Sequence, residues 1–226
     1  MENNNYICCD CETTGLDPSK DRLVEIAIAW RNEGRLLSAT NLINPGIHIP
    51  PEASALHHLV DNDVMQAPTR DQILSEKGFP KGILVAHNAA FDRQFLPPFL
   101  QEREWFCTYR TALHLWPDAP NHKNMTLMYY LGLKPQLPPG LSPHRALYDV
   151  LVTTAIFEHM ITENKFSELK DLQNKPILLK FVKFGKHKGQ LWSAVPKDYC
   201  NWLLKQDSEG GIDENVRFTA KHWLQN

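Results

Sequence analysis

Three short stretches of this chain bring carboxylates and histidines together at spacings that suit metal binding and proton transfer. The first is Asp10-Cys11-Glu12. Residues two apart on a strand point to the same face, so Asp10 and Glu12 project together. Two carboxylates about 4 Å apart repel by roughly 4 kcal/mol at an effective dielectric of about 20. A cation between them would remove that cost, and a strand end meeting solvent would lower it. The second stretch is His87-Asn88-Ala89-Ala90-Phe91-Asp92. It follows the apolar run Ile83 to Ala86 and opens a helix, which puts Asp92 in the first turn. Open α/β sheets place ligands at such strand ends. Asp92 could equally stabilise the helix N-terminus or pair with Arg93. The third is His144-Arg145-Ala146-Leu147-Tyr148-Asp149. On a helix these ends differ by about 140° around the axis, so His144 and Asp149 need not touch the same atom.

Together the stretches supply four acids and one base. Hard divalent cations take oxygen ligands, and Mg²⁺ binds through a few carboxylates plus substrate phosphate. Two such ions about 3.5–4 Å apart stabilise both the attacking and the leaving oxygen at phosphorus. Histidine can take the proton of the attacking water near neutral pH.

The surrounding pattern must position these groups. Tyr6 to Cys11 reads as a buried strand, Arg22 to Trp30 as a second and Leu36 to Ile43 as a third. Asn32-Glu33-Gly34 is a hairpin turn signal between the last two. Ile83 to Ala86 and Trp105 to Thr108 are further strands. Residues 52–77 read as short helical pieces and loops. Helices are expected over Ala89 to Phe95, Arg110 to Leu115 and Met125 to Leu131. Pro97-Pro98 ends the first of them. Residues 134–143, rich in Pro and Gly, read as loop. Ser142-Pro143 resembles an N-cap with Pro at the first helical position. A helix to about Ile161 should follow, with Ala146, Leu147, Val150, Leu151, Thr154 and Phe157 on one face. Strands first and helices later imply an α/β domain with a mixed sheet flanked by helices.

Composition bounds the function classes. The chain has 226 residues, enough for one large domain, or one domain with a small appendage. With 42% hydrophobic and 22% charged residues, long disorder is excluded as a reading. No apolar run approaches the ~20 residues of a membrane span. Met1 to Asn5 lacks the features of a secretory signal, so a cytoplasmic protein is expected. Cys8, Cys9, Cys11, Cys107 and Cys200 make an odd count with three crowded together, which is no disulfide framework. Residues 1–164 carry a net charge of −6 and residues 165–226 one of +4. Such a split suggests two units with different tasks. The expected division is a domain over 1–165, a linker over 166–178 and a small basic C-terminal domain over 179–226. That unit holds Phe181 to Phe184 as a strand, Gly185 to Gly189 as a turn and Tyr199 to Leu204 as a helix.

The ordered set Asp10-x-Glu12-Thr13-Thr14-Gly15-Leu16, His87-Asn88-x-x-Phe91-Asp92 and His144-x4-Asp149 resembles the DEDDh 3′–5′ exonucleases. The match spans about residues 6–160. Shared stretches such as Ala55 to Leu59, Pro138 to Leu141 and Phe184 to Gly189 extend it nearly end to end with one branch of that family. The resemblance implies a ribonuclease H-like fold and metal-dependent hydrolysis from a 3′ end, releasing nucleoside 5′-monophosphates. It implies two divalent cations, Mg²⁺ or Mn²⁺. Asp10 would bridge them, Glu12 and Asp149 would complete the nucleophile-side site, and Asp92 would serve the second site through water. His144 would deprotonate the attacking water. Thr13, Thr14 and Leu16 would lie under the terminal nucleotide, and Asn88 and Phe91 would shape its pocket. The implied substrate is single-stranded or frayed DNA, with a role in repair or proofreading and no membrane partner.

Other readings stay open at this stage. An exoribonuclease would differ only in contacts to a 2′-hydroxyl. A non-catalytic nucleic-acid-binding module could use the same fold. Zinc binding by Cys8, Cys9 and Cys11 lacks a paired C-x2-C, and strand neighbours point to opposite faces. Lys180, Lys183, Lys186 and Lys188, with Phe181, Phe184 and Trp192, could form a basic aromatic platform for nucleic acid. They could equally be a small core with solvated lysines.

Overall fold

The computed structural model describes residues 5–75, 79–206 and 211–225. The sequence readings that touch Met1–Asn4, 76–78, 207–210 and Asn226 fall outside them. Five strands form one sheet: β1 (Tyr6–Thr13), β2 (Leu23–Asn32), β3 (Arg35–Leu42), β4 (Ile83–Ala86) and β5 (Trp105–Cys107). Their order is β3-β2-β1-β4-β5. β1 runs antiparallel to β2 and parallel to β4, and β4 runs parallel to β5. The sheet is mixed, as the strand pattern implied, and β1 is its centre.

The β2–β3 hairpin closes where Asn32-Glu33-Gly34 signals a turn. Asn32 pairs with Arg35, leaving Glu33 and Gly34 as a two-residue loop. Both have positive φ, +49° and +79°. That is the backbone of a type I′ turn, whose twist matches paired strands.

β1 runs two residues further than its apolar run suggests, through Glu12 and Thr13. Its register against β2 shifts between these two residues. Ile7, Cys9 and Cys11 lie on one face and Cys8, Asp10 and Glu12 on the other. The long helix Ala146–Glu163 packs on β1 and β2. Its second side is covered by the helix Asn124–Tyr130. Nearly every residue from Ala146 to Thr154 is therefore buried, where the sequence suggested one apolar stripe. Phe157, further along, meets the rings of Tyr6, Phe106 and Phe166.

The start of this helix corrects the sequence reading. Ser142-Pro143 does not cap it, and His144 is not in its first turn. The helix begins at Ala146, and His144 stands before it with φ of +61°. The reason is a carboxylate from another strand. Glu25 on β2 accepts the Ala146 N–H at 3.1 Å and so replaces a local cap. The 140° separation of His144 and Asp149 around one helix axis therefore does not apply.

The chain divides into two compact units. One holds residues up to Thr111 and Ala119–Gln173; the other holds Ala112–Asp118 and the chain from Asn174. Residues Phe166–Leu172, within the stretch read as linker, form a helix whose Leu169 is buried. In the second unit Val182, Trp192, Val195, Tyr199, Cys200, Leu203, Val216 and Ala220 make a small core. Helices Lys197–Leu204 and Glu214–Gln225 build it. Phe181 to Phe184 is not a strand. Only Phe181 bridges to Leu191, because the chain turns back directly after Val182. Among the described residues no helix is long and apolar enough to cross a membrane.

Candidate active site

Asp10 and Glu12 meet Asp149 at the end of β1. One carboxylate oxygen from each lies within 4.8 Å of the others. Asp10 and Glu12 share the face of β1 on which the long helix packs, and Asp149 sits in the first turn of that helix. Three of the four acids singled out in the sequence are thus brought together.

The fourth acid is held differently. Asp92 lies in the first turn of the helix Ala89–Phe95 and is only 2% exposed. It reaches the other side of β1, where the backbone and thiol of Cys11 hydrogen-bond to its carboxylate. It is outside the three-acid cluster but close enough to raise the proton affinity of Asp10 and Glu12.

The charge balance of this site is unfavourable. Burial pushes Asp10 well above the usual carboxylate range, and Asp92, Asp149, Glu12 and Glu25 push it further. Burial first, then Asp149 and Glu25, carries Glu12 up to about 9. Burial raises Asp92 to about 7. Asp149 is also raised by burial, while His144 opposes the shift. Four acids this crowded, with Asp10 and Glu12 half-buried and Asp92 and Asp149 buried, are costly to keep ionised together. An all-oxygen donor set this tight fits a hard divalent cation, which would satisfy all three clustered carboxylates at once. The thiols do not compete: Cys8, Cys9 and Cys11 are free and buried, and burial raises their pKa values, that of Cys8 to about 12. Among the described residues no metal-ligating cluster includes them.

His144 lies against this cluster through its backbone. Its N–H donates to Asp149 Oδ2 at 3.0 Å, while its side chain belongs to an exposed residue. A histidine at positive φ is uncommon and is sustained only by its surroundings. Here the surroundings are a buried ion pair that the sequence reading missed. Glu25 is 2% exposed and lies opposite Glu12 in the β1–β2 register. Its two oxygens accept Arg145 Nε at 3.0 Å and Nη2 at 2.8 Å, besides the Ala146 N–H. The fork fixes the residue between His144 and the helix. Asn124, also missed, donates from Nδ2 to the Asp149 carbonyl at 2.9 Å and to Thr153 Oγ1 at 3.2 Å. The available signal for Glu25 was a lone acid inside the apolar run of β2.

The Thr13–Leu16 loop is pinned just as firmly. Thr13 Oγ1 donates to the Gly15 carbonyl at 2.6 Å. Thr14 Oγ1 donates to Asp21 at 3.2 Å and accepts the Arg22 N–H at 3.0 Å. Asp21 also accepts the Asp17 N–H at 2.8 Å. A Cβ at Gly15 would come within 2.5 Å of the Asp21 carboxylate, so only glycine allows this approach. Leu16 stands on this loop 80% exposed. Asn88 caps the Asp92 helix in left-handed backbone with φ of +73° and is exposed. Phe91 packs at a tilt of 54° against Phe95, with ring centroids 5.2 Å apart, and is half-buried. His87 serves the frame instead. Its ring binds Thr108 Oγ1 at 2.9 Å and the His122 carbonyl at 2.8 Å, and burial lowers its pKa to about 4.

Two outcomes follow from this geometry. Glu25→Ala removes three hydrogen bonds and leaves the partly exposed Arg145 guanidinium without its partner, and should cost about 1–3 kcal/mol in chemical denaturation; no measurable loss would contradict the role given to the pair. The second concerns pH. A carboxyl whose folded pKa is raised keeps its proton while the unfolded chain ionises, so stability declines as pH rises from about 4. With Glu12 near 9, melting temperatures in EDTA should fall across that window. Glu12→Gln should flatten the fall, and parallel curves for the two proteins would count against it.

The comparisons with known proteins agree with this site. The RNase T exonuclease model matches residues 7–157, which take in the sheet and the first two-thirds of the long helix. Exodeoxyribonuclease 10 of Escherichia coli K12 is 32% identical over 223 residues, covering 96% of this chain and 97% of its own length. The structure of exonuclease X in complex with 5′ overhanging duplex DNA superposes with a TM-score of 0.66 at 32% identity. It covers 75% of this chain and 99% of that one. The nuclease domain of 3′hExo, a DEDDh family member bound to rAMP, shares the fold at a TM-score of 0.58 and 17% identity, over 71% of this chain and 93% of its own. By family match and by a relative aligned nearly end to end, the chain belongs to the RNase T exonuclease family and is a nuclease of ribonuclease H-like fold.

Proposed function

We propose that this protein is a metal-dependent 3′→5′ exodeoxyribonuclease that releases nucleoside 5′-monophosphates from single-stranded or frayed DNA ends. The observation that carries this is the convergence of Asp10, Glu12 and Asp149 within 4.8 Å, beside a histidine whose backbone is tied to Asp149. The relatives named as exodeoxyribonuclease and the DNA-bound neighbour support DNA as the polymer.

In this reading two divalent cations, Mg²⁺ by preference and Mn²⁺ as substitute, would be held by Asp10, Glu12 and Asp149, with Asp10 common to both sites and Glu12 and Asp149 on the nucleophile side. Asp92, held on the Cys11 side, would contribute to the second site. The cations, when bound, would acidify a water and offset charge on the scissile phosphate. The chain's own residues supply the rest. The ring of His144 accepts the proton of the attacking water. Its fixed, non-helical position lets it do so without being a metal ligand.

Leu16, exposed on a pinned loop, offers an apolar surface to the terminal base or sugar, and Thr13 and Thr14 hold that loop in place. Asn88 and Phe91 shape the wall beside Asp92. A terminal nucleotide entering this pocket must leave its stack, at a few kcal/mol that is least for unpaired ends. We assign catalysis to residues 1–165, a separate role to 179–226, and the connection to 166–178. Free thiols and a DNA substrate fit the cytoplasm, and the reaction fits repair or proofreading.

A time course with 5′-labelled single-stranded DNA and matched RNA tests this directly. A ladder shortening from the 3′ end should appear with Mg²⁺ and vanish in EDTA. Asp149→Ala should abolish it, and His144→Ala should slow it by about 10²–10⁴. Equal or faster shortening of RNA would reassign the substrate. Undiminished activity in both Asp10→Ala and Asp149→Ala would end the mechanism.

A further inference from the structure

The second unit carries a surface that its own folding does not explain. Lys180 to Trp192 folds back on itself. The Trp192 N–H donates to the Lys180 carbonyl at 3.0 Å, the Val182 N–H to Gln190 at 2.9 Å, and the Gly189 N–H to Val182 at 2.8 Å. Alternation along these arms sends Val182 and Trp192 inward to the core. It sends Phe181 and Leu191 outward, where they face each other across the bridge, 46% and 42% exposed. Of the three aromatics singled out in the sequence, Trp192 is buried and Phe184 packs on the core, so only Phe181 is free to meet a ligand.

Four ammonium groups stand on the same short segment. Lys183 and Lys188 are exposed and have no acidic partner among the described residues. Lys180 is 3.6 Å from Asp118, itself exposed. Lys186 Nζ lies 5.4 Å from the centre of the Tyr199 ring, a cation–π contact that places the ammonium group on the aromatic face and pairs it with no acid among the described residues. Gly185, with φ of +62°, allows that approach, since a Cβ there would meet the Tyr199 hydroxyl at 2.9 Å. The turn is thus built to hold lysines outward beside an exposed ring. It does so in the part of the chain with net charge +4, while residues 1–164 carry −6.

We propose that the Lys180–Leu191 turn binds a single strand of DNA, with Lys183, Lys186 and Lys188 on phosphates and Phe181 against the face of a base. This rests on the nuclease reading for its choice of polymer. Point charges beside a flat apolar ring suit a single strand, because every base offers a π-face and every linkage one charge. A second copy of this chain would set lysine against lysine. Holding the polymer at a second place raises affinity for long strands through effective concentration, and leaves short ones unaffected.

The test uses the full chain. Affinity for a labelled single strand of about 20 nucleotides is measured in EDTA across a salt series, so that binding is read without hydrolysis. Hydrolysis of a trinucleotide with Mg²⁺ is measured separately. Lys183→Glu with Lys188→Glu should weaken binding at least tenfold and reduce the salt slope by about 1.4, the loss of two phosphate contacts. Phe181→Ala should weaken it about 5- to 100-fold, as expected for one stacked base. Lys183→Arg with Lys188→Arg should bind like wild type. Trinucleotide hydrolysis should be unchanged in all of them. Wild-type affinity and salt slope in the folded glutamate variant would overturn the proposal. A wild-type protein inert on the trinucleotide would instead strike at the nuclease reading, leaving the binding result to stand by itself.

Discussion

The site depends on a buried carboxylate that takes no part in the proposed chemistry. Glu25 sits on β2 beside Glu12 and binds Arg145 and the Ala146 N–H at once. These three hydrogen bonds set where the long helix begins. They therefore set the height of Asp149 against Asp10 and Glu12, and they hold His144 outside the helix. A helix started by a local cap at Ser142 would have carried His144 and Asp149 on one rigid cylinder. Starting it from a neighbouring strand ties the helix to the same sheet that bears the other acids. Sheet and helix then act as one rigid mount, which sites requiring sub-ångström placement need.

That mount holds the acids in an arrangement they would not adopt unaided. Burial raises the proton affinity of Asp10, Glu12, Asp92 and Asp149, and repulsion from neighbouring acids adds to it at Asp10 and Glu12. Structural carboxylates are normally paired with a cation or hydrogen-bonded to several donors, as Glu25 is. Among the clustered acids, Asp149 has the His144 N–H alone, and Asp10 and Glu12 are left to face other acids. The contrast between Glu25, fully satisfied by an arginine, and Glu12, its strand neighbour left among acids, separates the residue that builds the site from one that works in it. Strain of this kind clusters at functional sites and must be offset elsewhere. Here the offset comes from the apolar packing of β1 and from the long helix, buried on two sides.

Much of this was legible in the sequence, for identifiable reasons. The acids on β1 follow from period-2 geometry, and Asp92 from a helix opening after a short apolar strand. The Glu33-Gly34 turn follows from turn chemistry. Interactions between residues far apart in the chain were not legible. Glu25 and Arg145 are 120 positions apart, and neither motif nor periodicity links them. The helix start was misplaced for the same reason, since a Ser-Pro signal reports only local preference. The strand expected at Phe181 to Phe184 failed because Gly185 turns the chain back after Val182, leaving a single bridge. The platform of three aromatics was reduced to one because Trp192 and Phe184 were needed for a core too small to spare them.

The claim that the acid cluster exists to bind cations is tested most directly by counting them. Calorimetric titration of Mn²⁺ into the metal-free protein at neutral pH, in buffers of different ionisation enthalpy, reads both stoichiometry and proton release. Two ions per chain are expected, with protons displaced from the raised carboxyls on binding, and with both effects lost in Asp10→Asn. Absence of saturable binding at millimolar Mn²⁺, or binding unchanged in Asp10→Asn, would contradict it.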